Sequence, residues 1–169
     1  MSQTNLHQQK NPVDSNLEFK QLFDLHKKSI FAMALSILRD SALAEDVMQE
    51  TFIKLYQHQK HQDISNLKGW LLSVSRNMAL DLYRKKKREI TGYEEQYFDQ
   101  EHHKSTDPLD RMILRKYLEL LDSEERQIVV LKDISGMKHR EIAKIIEIPL
   151  GTVLWKYQMA LKKLRKNIE

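Results

Sequence analysis

Residues 141–166, EIAKIIEIPLGTVLWKYQMALKKLRK, decide the fold. Ile142, Ile145 and Ile146 recur at helical spacing and give a short helix with one buried face. Ile148-Pro149 then breaks the run. Pro149 suits the start of a second helix, where its missing N–H would be unpaired anyway. Val153, Ala160, Leu161 and Leu164 bury that second helix, which ends in basic residues. A short helix, a tight turn and a longer helix outline a helix-turn-helix. Gly151 and Thr152 fall in the first turn, where backbone N–H groups can meet a phosphate. Many helical pairs are only structural, and Leu154 and Trp155 stand where a DNA-reading helix normally shows polar groups.

Outward from this pair, helix remains the default, because only 4 glycines and 3 prolines punctuate 169 residues. From about Leu17, the positions Phe19, Leu22, Phe23, Ile30, Ala34, Ile37 and Leu38 share one helical face. Asp40 or Ser41 caps a second helix, with Ala44, Val47, Met48, Phe52 and Leu55 inward. Residues 57–66 read as a loop. A third helix from Leu67 carries Leu67, Trp70, Leu71, Val74, Met78 and Leu82 inward and runs into RKKKR at 84–88. Residues 89–108 are acidic and without helical period, as a linker would be. A helix through Leu121 follows, then another capped at Asp122 or Ser123, with Glu125 suited to a capping box. No repeat and no alternating strand is visible. The expected fold class is all-α: two small helical domains joined by a flexible acidic linker, the C-terminal one holding the helix-turn-helix. The expected divisions are a disordered tail at 1–15, domains at 16–88 and 109–169, and the linker at 89–108.

Composition narrows the function. A formal charge of +4 is a mild basic bias, whose clustering matters more than its sum. The absence of cysteine excludes disulfides and thiolate zinc sites. No run approaches the roughly 18 apolar residues of a membrane span, and the polar start lacks a signal-peptide core. The expectation is a cytoplasmic protein without membrane insertion.

Two helix faces carry further information. Asp46, Gln49, Glu50 and Ile53 fall at i, i+3, i+4 and i+7 beside the buried face of the second helix. They make either an ordinary solvated face or a docking surface for a basic helical partner, centred on Ile53. On the third helix Arg76, Tyr83, Arg84 and Lys87 lie along one face, with Asn77 beside them. Cations at one-turn spacing track a phosphate backbone and Asn pairs with a base edge, whereas a basic helix end also simply complements the dipole.

Three segments together carry a resemblance: LSILRDSALAEDVMQETFIKLY (35–56), GWLLSVSRNMALDLYRKKKR (69–88) and LDSEERQIVVLKDISGMKHREIAKIIEIPLGTV (121–153). In this order they closely resemble the extracytoplasmic-function (ECF) bacterial sigma factors. The resemblance implies that Asp46, Gln49, Glu50 and Ile53 dock on core RNA polymerase. It gives the promoter −10 element to Asn66, Arg76, Asn77, Tyr83, Arg84 and Lys87, with a base flipped into the 57–66 loop. Arg140, Gly151, Thr152, Leu154, Trp155 and Lys156 would read the −35 element. Core polymerase, promoter DNA and an anti-sigma factor are the implied partners, and no cofactor is. After GTV the family usually has a basic and then a small polar residue, and a basic one is frequent at the position of Met159. Leu154 and Trp155 therefore imply contact with thymine methyls, contact with protein, or cover by an inhibitor.

The rivals are weaker. A stand-alone helix-turn-helix regulator of duplex operators explains residues 121–169 but leaves the second and third helices without a task. An enzyme or metal protein would draw on His58 and His61, or His102 and His103 beside Glu101, but no HExxH or finger spacing exists. No metal site and no catalytic residue is expected.

Overall fold

A computed structural model describes residues 12–58, 64–90, 115–116 and 118–167. Helix α1 spans Pro12–Leu38, α2 Ser41–Gln57 and α3 Leu67–Glu89. After helical residues at 115–116 and 118–119 come α4, Ser123–Val129, a π-helical turn over Val130–Ile134, α5, His139–Ile146, and α6, Leu150–Lys166. No strand occurs among the described residues. The expected tail and linker lie mostly outside them. Helix α1 starts earlier than the apolar pattern, at Pro12, whose fixed φ suits a first helical position.

Side chains close each helix where the sequence turns. Asp40 Oδ1 accepts from Leu43 N at 3.0 Å and caps α2. Arg39 before it takes a left-handed backbone, φ 53°, which ends α1. At α4 the capping box is complete: Asp122 accepts from Glu125 N at 2.8 Å, and Glu125 accepts from Asp122 N at 3.0 Å. Gly136, at φ 68°, makes the turn between the π-helical segment and α5. Between α5 and α6 the turn is left-handed at Glu147, φ 59°, and Pro149 starts α6 at φ −58°.

Two apolar clusters hold the chain. The smaller gathers Ile30, Phe52, Leu55 and Leu71 beneath Phe19, Leu22 and Phe23. Phe23 and Phe52 pack ring against ring, tilted by 54°, with centroids 4.7 Å apart. The larger runs from α1 residues Met33, Ala34, Ile37 and Leu38 through Val47 and Leu72 to Ile128, Leu131, Ile142, Ile146 and Val153. It is continuous from the N-terminal helices to the helix-turn-helix. Helix α1 lies between α2 and α3 on one side and α4 with the π turn on another. From Ser29 to Leu38 every residue but the half-exposed Phe31 is therefore buried. The expected single inward face of α1 is in fact a helix buried all round over this stretch, as its run of apolar and small residues requires.

Polar groups seal this packing. Arg126 donates from Nε to the Ser36 carbonyl at 2.9 Å and from Nη1 to the Leu121 carbonyl at 2.6 Å. The Ser36 carbonyl belongs to the last turn of α1, where no further helical N–H reaches it. Lys68 Nζ donates to the Ser135 carbonyl. No helix of the described residues is long and apolar enough to cross a membrane.

Candidate functional site

The α2 face is separate from the core. Ala44, Val47, Thr51, Phe52 and Leu55 are buried, and Thr51 satisfies its hydroxyl on the Val47 carbonyl at 2.7 Å. Asp46, Gln49, Glu50 and Ile53 all point to solvent, with Ile53 47% exposed. Tyr56, one turn beyond, extends the same apolar edge and is more exposed still. Spacing of i+3 from Ile53 was the available signal for it.

The residues expected on α3 divide. Asn77, Arg84 and Lys87 are exposed, and Arg84 sits only 3.5 Å from Asp81 in an i,i+3 pair. Arg76 points the other way: its Nε donates to Gln127 Oε1 at 2.8 Å and Nη2 to the Ile146 carbonyl at 3.4 Å. Burial holds its guanidinium below the ordinary range, with Glu147 nearby opposing the shift, and it remains charged. Tyr83 is half-buried against the larger cluster. Asn66 is the cap of α3: its Oδ1 accepts from Gly69 N at 3.0 Å. A Cβ at Gly69 would lie 2.5 Å from the Asn66 amide nitrogen, so a larger residue there would shift the capping side chain.

On the helix-turn-helix, Arg140 and Gly151 are exposed and Thr152 is half-buried. Leu154 and Trp155 are 44% and 61% exposed, so the apolar pair lies outside the core. Lys156 differs from them. Its Nζ lies 2.9 Å from Glu124 and 3.7 Å from Asp122. The hydrogen bond to Glu124 raises its pKa. Beyond it Gln158, Lys162 and Arg165 are exposed one turn apart, in register with Trp155. These three escaped the motif reading, although i+3 and i+4 steps from residue 155 point to them. Together the exposed residues of α6 form an apolar start and a basic end, a form suited to a major groove lined by phosphates.

The described residues contain no group of three or more acidic or histidine side chains able to hold a metal ion. His58 packs its ring on Trp70 at 5.7 Å; His61, His102 and His103 lie outside the described residues.

Comparison with known proteins follows the same division of the chain. Residues 22–89 match the sigma-70 region 2 family and residues 111–164 the sigma-70 region 4 family. The chain is 30% identical over 166 residues to the ECF RNA polymerase sigma factor SigW of Bacillus subtilis, covering 89% of this chain and 88% of that protein. SigM of the same organism is 27% identical over 151 residues, at 85% and 93% coverage. Among solved structures, the sigma factor RpoE of Bartonella quintana, crystallised with the anti-sigma factor NepR, superposes with a TM-score of 0.72 at 28% identity. That match covers 88% of this chain and 95% of the other. A stand-alone operator binder is not favoured, because the region 2 match spans α2 and α3 as well. The chain belongs to the extracytoplasmic-function sigma factors, which bind core RNA polymerase and direct it to promoters.

Proposed function

We propose a division of labour among the surfaces of this sigma factor. Asp46, Gln49, Glu50 and Ile53 dock on core polymerase; Asn77, Arg84 and Lys87 follow the −10 element; Arg140, Gly151, Thr152, Leu154 and Trp155 meet the −35 element. The domains concerned are residues 16–88 and 109–169, with 89–108 between them as linker. The observation that carries the reading is the α2 face, exposed beside a buried one, in the span that matches region 2. Such a face contributes little to folding, so its acidic and amide groups are free for a partner.

Arg76, Tyr83 and Asn66 join the −10 surface only if their present partners are exchanged. For Arg76 this means parting Gln127 and Ile146 from α3, so promoter binding by that residue goes with separation of the two domains. An inhibitor holding them together is a natural antagonist, and the RpoE–NepR complex of a structural relative supports an anti-sigma partner here. Recognition of this kind makes and breaks no covalent bond by the chain, uses no cofactor or metal, and takes place in the cytoplasm.

The test is run-off transcription with purified core polymerase on a library of promoters. Asp46→Lys with Glu50→Lys is expected to abolish co-purification with core and all run-off product, while thermal melting stays within about 0.5 kcal/mol of the parent, as exposed charges do. Equal co-purification of variant and parent would falsify the docking assignment.

A further inference from the structure

Two lysines of α6 reach across to α4, Lys156 largely buried and Lys163 with its side chain 42% exposed. Lys156 and Lys163 are seven residues apart, two turns along one face, and each meets the acidic first turn of α4. Lys156 reaches Glu124 at 2.9 Å and Asp122 at 3.7 Å, with its side chain only 18% exposed. Lys163 Nζ lies 2.8 and 2.7 Å from the two oxygens of Glu125, a carboxylate that is 5% exposed and also closes the α4 capping box. The three carboxylates suit the N-terminus of α4 as well as the two ammonium groups.

We propose that Lys156 and Lys163 are positioning residues, two struts that fix the angle of α6 on α4, and that neither is a phosphate contact. This rests on α6 reading the −35 element. Each ammonium is held against α4 carboxylates, and with that negative charge beside it offers a phosphate little net attraction. The struts are about 10.5 Å apart along the helix, so a slip of about 1 Å at one of them tilts α6 by about 5°. Apolar contact weakens steeply over a gap of about 1 Å, and a tilt of that size shifts Leu154 and Trp155 against the groove floor they address. The Lys156–Glu124 pair, open to solvent on its carboxylate side, adds little to stability, yet a weak pair at the end of a lever still selects one angle.

Neutralising the partner carboxylate separates the two roles of Lys156. If the lysine held a phosphate, Glu124→Gln would release it and remove a repelling charge, and DNA would bind more tightly. If the lysine is a strut, Glu124→Gln harms recognition just as Lys156→Gln does. The experiment uses holoenzyme reconstituted from the full chain and core polymerase. Its DNA is a promoter that the parent holoenzyme selects from a library randomised at −35, with affinity measured against salt. Lys156→Gln, Glu124→Gln and their double variant are expected to lose about threefold each, without addition, and to share one altered −35 preference. Their salt slopes stay at the parent value, since no phosphate contact is lost. The exchange Lys156→Glu with Glu124→Lys recovers most of the loss, and Lys163→Gln joins the same class. A merely stabilising pair would lower melting and leave the −35 preference alone. That result overturns the proposal, as does tighter binding by Glu124→Gln with a slope about one unit lower in Lys156→Gln. A parent holoenzyme that selects no −35 sequence overturns the promoter reading of α6 itself, which no behaviour of the variants can imitate.

Discussion

Glu147 shows how local a constraint can be. It sits at φ 59° in the helix-turn-helix turn, a left-handed conformation that costs an L-residue roughly 1–2 kcal/mol. Glycine adopts it freely but loses more entropy on folding. Its side chain is exposed, so little packing is lost on replacement. Glu147→Gly is expected to stabilise the protein by about 0.5–1 kcal/mol, a rise in Tm of about 1–4 °C for a chain of this size. An unchanged or lower Tm would show that the nearby charge of Arg76 matters more than the backbone. His26 contributes a pH dependence to stability. Burial, and secondly the Lys68 charge, hold its pKa below the ordinary 6.5. The unfolded chain therefore binds the proton more readily, and stability falls as pH drops through the unfolded value near 6.5. His26→Gln is expected to flatten the stability profile as pH falls below about 7. An identical acid slope in parent and variant would assign that slope to other groups.

Among the helices, α3 carries the clearest division between structure and recognition. Its exposed side holds Asn77, Arg84 and Lys87, while Arg76 is spent on Gln127 and the Ile146 carbonyl. Arg84→Ala with Lys87→Ala is expected to lower the salt slope of open-complex formation by about two units, one for each phosphate contact. A slope unchanged in the double variant would leave those charges to the helix dipole, which the run at 84–88 also complements. The caps were legible in the sequence. Asp40, and Asp122 with Glu125, announce α2 and α4 because short acceptors compete for the first N–H groups. The exposed face of α2 was legible for another reason: its apolar stripe is narrow and regular. Partners across the fold were not. Nothing in the spacing of Arg76 distinguishes a phosphate contact from a bond to Gln127, fifty-one positions away. Lys156 likewise looks like a free cation until Glu124 is set against it.

At the scale of the molecule, the two halves of the chain share one apolar cluster, and α1 is the member they have in common. Sequence periodicity assigned α1 a single inward face, as for a domain standing alone. A second buried face is a property of docking, which periodicity within one helix reports only as an excess of small and apolar residues at 29–38. Cooperativity follows from this sharing. Unfolding the C-terminal half uncovers α1, so the two halves are expected to melt in one transition when the protein is free of polymerase. Arg126 tests this, because its guanidinium is buried between a carbonyl of α1 and one of its own half. Arg126→Met keeps much of the stem volume and removes the cost of burying a charge, but it leaves the Ser36 and Leu121 carbonyls without that donor. The second effect is larger, since each buried acceptor so stranded costs roughly 1–3 kcal/mol. A net loss of about 2 kcal/mol is therefore expected. The decisive reading is where the loss appears. If the halves are coupled, hydrogen exchange quickens throughout α1 residues 29–38 as well as in α4, and calorimetry keeps a single peak at lower temperature. Two peaks, with only the lower one displaced and α1 protection untouched, would mean that each half holds its fold alone and that Arg126 fastens them without making them one cooperative unit.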